Sequence, residues 1–165
     1  MKNKKKIILS YLIILFFCNI AFGSEEINYS SNSLKVQENG KIVSGEGDVQ
    51  ILIGNNIFIS SDTFQYNRET GLYKIFNNIQ FKDKQNDIEA TGSEFIFSSF
   101  DKKILSKSKS KILYKKNYNI YLNNFEYDIK NEKIKSDDFV KVEDNINNYF
   151  ELYEFLIDIK KNNFL

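Results

Sequence analysis

Carboxylates are the side chains present in numbers that would suggest acid–base chemistry, and their spacing argues against it. The chain holds 22 Asp and Glu in 165 residues and no histidine. A Ser-His or Cys-His nucleophile and a histidine metal site are therefore both excluded. Glycoside cleavage needs two carboxyls about 5 to 9 Å apart, one of them with a raised pKa. The adjacent pairs Asp137–Asp138 and Glu25–Glu26 lie in polar stretches, where charged side chains stay solvated. Asp62, Asp87, Asp128 and Asp158 fall near turns or strand edges, where carboxylates bond backbone amides. Gly45-Glu46-Gly47 lacks the third glycine and following helix of a phosphate loop and reads as a turn or strand kink. Lys107, Lys109 and Lys111 alternate with serines, the pattern of a solvated strand face or a protected edge. No catalytic set, metal site or cofactor is expected.

The N-terminus carries a different message. Met1 to Lys6 holds four lysines, Ile7 to Phe17 is almost wholly apolar, and Ala21-Phe22-Gly23 precedes the polar Ser24-Glu25-Glu26. That order predicts a secretory signal peptide over residues 1–23, with cleavage after Gly23 and export of the remainder. The other reading is an uncleaved membrane anchor, for which the stretch is short against the about 20 residues of a full span. Cys18 is the single cysteine, and the bulky Phe16-Phe17 before it fits a lipidation site poorly. Once the segment is removed, no cysteine remains for a disulfide or a thiolate ligand. Cleavage also takes four of the 23 basic residues and none of the 22 acidic ones, so the formal charge of +1 becomes −3. Nucleic acid, which calls for a concentrated basic surface, is not an expected partner. Residues 24–165 suit one domain.

The elements that position these residues come from a register of about thirty residues. Lines starting at Ile27, Ile57, Ile88, Ile120 and Phe150 are spaced by 30, 31, 32 and 30 residues. A second column holds Tyr29, Ile59, Ala90, Leu122 and Leu152, and a third holds Leu34, Phe64, Phe95, Tyr127 and Ile157. The fourth holds Val36, Tyr66, Phe97, Ile129 and Ile159. Such a period means stacked supersecondary units, each too small to bury its own apolar face. Short period-2 stretches such as Ile57-Phe58-Ile59 and Phe95-Ile96-Phe97 are β-strands. Turn clusters at Glu38-Asn39-Gly40, Asn67 to Gly71, Ser98 to Asp101 and Lys130-Asn131-Glu132 separate them from return strands at Ile42, Leu72, Ile104 and Ile134. Ile57 and Ile59 differ in parity from Phe64 and Tyr66, so a flat strand would send the two pairs to opposite faces. A bend in Ser60 to Thr63, or in the equivalent Ser30 to Ser33 and Thr91 to Glu94, returns both pairs to one interior. The prediction is an all-β, folded-over two-sheet stack of about five repeats, the last incomplete. Asn148 to Lys161 has an amphipathic helical reading as well, but the columns favour strand.

The stretch from Ser44 to Lys74 carries a resemblance. Ser-Gly-Glu-Gly-Asp-Val-Gln-Ile followed by Ile-Phe-Ile-Ser-Ser-Asp-Thr-Phe-Gln-Tyr-Asn is similar to the G-x-V-x-I … I-x-A-D-x-x-x-Y line of OstA-like domains of lipopolysaccharide transport proteins. Ile88 to Phe97 repeats it more weakly, and later lines keep the apolar columns alone. Ser61-Asp62 stands where the family has Ala-Asp. The resemblance implies a twisted open β-jelly roll whose apolar interior holds the acyl chains of lipopolysaccharide. It also implies a periplasmic location, free or associated with the inner or outer membrane, and partner jelly-roll proteins stacked end to end through unpaired edge strands. The lining residues on this reading are Ile57, Ile59, Phe64, Tyr66, Ile88, Phe95, Phe97, Ile120, Leu122, Tyr127 and Ile129. They suit a non-catalytic lipid carrier or bridge, since each acyl CH₂ kept from water is worth about 0.8 kcal/mol. A structural or adhesin-like β-stack with a closed core is the alternative. A glycan-cleaving solenoid is disfavoured by the scattered carboxylates and missing histidines.

Overall fold

The computed structural model describes residues 26–146 and 148–164, so the predicted signal segment over 1–23 and Cys18 lie outside the described residues. Among these residues, fifteen strands form one continuous antiparallel sheet that folds along a crease into two wings. Four long strands cross the crease: β3 (Ile42–Ile53), β4 (Ile57–Asn67), β5 (Leu72–Asp83) and β6 (Ile88–Ser98). Short strands complete each wing. Wing A contains β1 (Ile27–Ser30), β8 (Ser110–Tyr114), β9 (Tyr118–Leu122), β12 (Val140–Asp144) and β13 (Tyr149–Leu152). Wing B contains β2 (Ser33–Gln37), β7 (Lys103–Ser106), β10 (Phe125–Asp128), β11 (Lys133–Ser136), β14 (Phe155–Asp158) and β15 (Asn163–Phe164). The strand reading of the C-terminal segment is the one observed, as β13 and β14.

The crease has a backbone cause. Pairing shifts by one residue between Glu46 and Val49, between Ser60 and Thr63, and between Phe76 and Ile79. Gly47, Asp48, Asn77 and Asn78 take positive φ values of 73°, 46°, 62° and 49° at these bulges. Glycine and asparagine tolerate that backbone, and an extra residue there bends the strand. Beyond β6 the chain breaks at the crease instead. The N-terminal half of β6 pairs with β8 and its C-terminal half with β7. Lys107-Ser108-Lys109 therefore form the corner between two strands, and Lys111 alone of the three lysines lies in β8. The expectation of one lysine-bearing strand face is corrected here, because the chain must change wings at this point.

Short polar side chains stitch the crease from strand to strand. Asn32 donates to Asp48 at 2.9 Å, Asn78 to Asp62 at 2.8 Å, Ser93 to Ser108 at 3.3 Å and Asn123 to Asp138 at 3.4 Å. The partners are 15 or 16 residues apart, half of the thirty-residue register, so each repeat is one outgoing and one returning strand. At the outer lips, Asn67, Asp83, Asp128, Asp144 and Asp158 each accept backbone N–H bonds within the following hairpin loop. These are the turn-forming roles such residues favour.

Candidate functional site

The space between the wings is lined by rows of side chains that run along the stack. Nearest the crease on wing B, Phe64, Ile75, Phe95, Ser106, Phe125, Ser136 and Phe155 stand in register. Toward that lip run Tyr66, Tyr73, Phe97, Ile104, Tyr127, Ile134 and Ile157. Opposite them, wing A presents Tyr29, Ile51, Ile59, Phe81, Ala90, Ile112, Ile120 and Val142. Nine of the eleven expected lining residues are buried: Ile57, Ile59, Phe64, Ile88, Phe95, Phe97, Ile120, Leu122 and Tyr127. Tyr66 and Ile129 are half-buried against the same cluster. The structure thus brings the eleven to one interior, with Ile129 in the lip loop after β10.

The row assignment differs from the sequence columns in the last two repeats. Phe95 aligns with Phe125 and Phe155, and Phe97 aligns with Tyr127 and Ile157. On wing A, Ile59 and Ala90 align with Ile120 and Phe150. The columns therefore slip by two residues after β6. A slip of two keeps every side chain on its face, so alternation alone cannot reveal it. Phe125 and Phe155, both buried, were missed. The signal was present as a phenylalanine in each of four successive repeats, at 64, 95, 125 and 155. Serines 106 and 136 between those rings are small enough to admit them, and Phe95 meets Phe125 edge-on at 5.4 Å. Gly45 gives Phe64 its place: a Cβ there would lie 2.3 Å from the Phe64 ring.

The interior changes character along the stack. In the middle repeats it is filled by its own side chains, with Phe95, Phe97, Ile120 and Ile134 fully enclosed. At the N-terminal end Leu34 and Val36 occupy interior-facing positions on β2 yet are 50% and 63% exposed. At the other end Phe150 of β13, opposite Val142 of β12, is 56% exposed. Among the described residues, β1 and β2 pair only with β3, and β13 only with β12. Both ends thus present apolar side chains beside a strand edge without a neighbour. Two surface grooves, of about 590 and 1070 Å³, lie against the wings. The first carries outward-facing Gln50, Ser60, Gln80 and Thr91, and the second outward-facing Leu105, Glu126, Lys135 and Leu156.

The lips of the two wings touch. Tyr127 of wing B donates its hydroxyl to Asp83 of wing A at 2.6 Å, and the Asn86 amide donates to Tyr127 at 2.9 Å and to Asp83 at 2.9 Å. Two more N–H groups, from Gln85 and Asn86, bond the other Asp83 oxygen. Asp83 is 2% and Tyr127 1% exposed. Burial, and then the hydrogen bond to Asp83, push the Tyr127 hydroxyl above the ordinary tyrosine range, so it stays protonated and donates. Tyr73 is raised likewise, by burial and by the neighbouring Tyr66 and Tyr29. A further lip-to-lip bond joins Lys115 to Asn162.

No protein-family model matches the chain, and no curated protein matches its sequence. Among solved structures, the chain is similar to the crystal structure of LptH from Pseudomonas aeruginosa. The TM-score is 0.59 at 10% identity, covering 67% of this chain and 80% of that one. The likeness shows the fold. This chain is a twisted, open, LptA-like β-jelly roll. LptH is the LptA-homologous periplasmic component of a conserved lipopolysaccharide transport device.

Proposed function

We propose that the chain is a non-catalytic, exported periplasmic module that takes lipopolysaccharide acyl chains between its wings and passes them toward the outer membrane. One observation carries this reading: an apolar interior that continues through every repeat and runs out, exposed, at both ends through Leu34, Val36 and Phe150. A core serving stability alone gains nothing by exposing large apolar groups at its ends. The edges of β1, β2 and β13, unpaired among the described residues, suit strand addition by neighbouring jelly-roll modules, which would make the interior continuous between proteins. The residues named for the interior supply apolar area without directed polar bonds, matching several flexible acyl chains better than a rigid ligand. The likeness to LptH supports the same reading through the fold.

The second reading, a structural β-stack with a closed core, is favoured by the complete burial of the middle repeats. Binding separates the two. Purified protein mixed with lipopolysaccharide, or with the same glycolipid stripped of its acyl chains, is followed by displacement of a fluorescent fatty acid. The carrier reading expects displacement by the acylated form alone. A structural stack binds neither the fatty acid nor the glycolipid.

A further inference from the structure

The geometry points to a latch: Tyr127, Asp83 and Asn86 hold the lips of the two wings together, and acyl chains enter by parting them. This rests on the interior being the lipid site and adds how that site is opened. The latch joins wings that are otherwise continuous through the crease, so the lips are where the interior can open without breaking a strand pair. Between the lips, Phe81 of wing A meets the Tyr127 ring edge-on at 6.0 Å. The polar contacts that cross at this point meet at the Tyr127 hydroxyl, which donates to Asp83 and accepts from Asn86. Asp83 stands in an interior row whose neighbours Ile53, Ile57, Ile88 and Tyr114 are buried aromatic or aliphatic residues. Asp83 keeps the bonds from Gln85 and Asn86 of its own loop, whereas the buried Tyr127 hydroxyl has Asp83 and Asn86 as partners only while the lips are closed. Closing is thus favoured by satisfying the Tyr127 hydroxyl, and opening wets that hydroxyl and the Asp83 carboxylate, both of which water solvates. That makes the closed and open states near in energy, which a fully apolar seam would not. The second contact, Lys115 to Asn162, lies on the exposed rim and opens at little cost.

The test measures the uptake rate of a fatty acid whose attached fluorophore brightens on leaving water. Tyr127→Phe keeps the ring and removes the donor, and Asp83→Asn keeps a turn-forming side chain while weakening the acceptor. Both are expected to speed uptake about tenfold, the rate equivalent of one charge-assisted hydrogen bond. In a Cys18→Ser background, Lys115→Cys and Asn162→Cys joined by a short cleavable bis-maleimide are expected to slow uptake, and cleavage to restore it. Equal rates in the joined, cleaved and Tyr127→Phe proteins would overturn the latch and place entry at the ends of the stack. No uptake by the unmodified, cleaved and Tyr127→Phe proteins alike would instead overturn the lipid-carrier reading on which the latch depends. Lower stability in Tyr127→Phe with unchanged uptake would leave the hydrogen bond purely structural and contradict the proposal.

Discussion

Phe97 shows how tightly single residues are held in this interior. It is fully enclosed, with its ring 5.6 Å from that of Tyr73. Phe97→Asp places an unpartnered carboxylate there while removing a large apolar side chain. The expected loss is about 4 kcal/mol or more, enough to unfold a domain of ordinary stability. Urea denaturation followed by circular dichroism measures it, and native stability would mean that Phe97 is not inside. Gly45 is limited in another way, because the Phe64 ring occupies the place of its Cβ. Gly45→Ala is expected to cost about 1 to 3 kcal/mol by displacing that ring, with Phe64→Leu in the same chain recovering part of the loss. The apolar lining was legible from alternation, since Ile57, Ile59 and Phe64 could be assigned to the interior from parity and a bend. Asp83 was not. In the sequence it resembles the turn-forming Asp128 and Asp158, and only the approach of β10 from the opposite wing gives it a second task.

At the scale of elements, the bend was legible and the exact pairing was not. Opposite parity within one line required a strand to turn, and the small polar Ser60 to Thr63 marked where. The register beyond β6 slipped by two because a β-strand repeats every two residues and many neighbouring positions are apolar. The polar seam along the crease was hidden for a related reason. Asn32, Asn78, Asn123 and their partners look like loop residues in an asparagine-rich chain, and only their spacing of 15 or 16 distinguishes them. The bulge backbone gives a direct test. Asn77→Val or Asn78→Val forces a β-branched side chain into the left-handed region and is expected to cost about 1 to 2 kcal/mol each, while glycine is tolerated. Thermal unfolding distinguishes the substitutions. Equal melting temperatures for valine and glycine would mean that the bulge does not hold β5 in its bent form.

The described residues form a quasi-linear stack whose ends expose apolar side chains beside strand edges that no other described strand pairs. That shape predicts association of copies end to end, weakened when charge is placed on the free edge. Light scattering across a concentration series is expected to show assemblies for the unmodified protein and monomer for Phe150→Lys with Tyr149→Lys. Identical behaviour would remove β13 as a docking edge. The central claim concerns what occupies the space between the wings. Photo-crosslinking residues at Phe64, Phe97 and Tyr127, and at the turn positions Asn67 and Lys130, in a lipopolysaccharide-producing cell test it directly. Lipopolysaccharide adducts at the three interior positions and not at the two turns are the predicted result. Folded, exported protein that forms no adduct at Phe64, Phe97 or Tyr127 would contradict it.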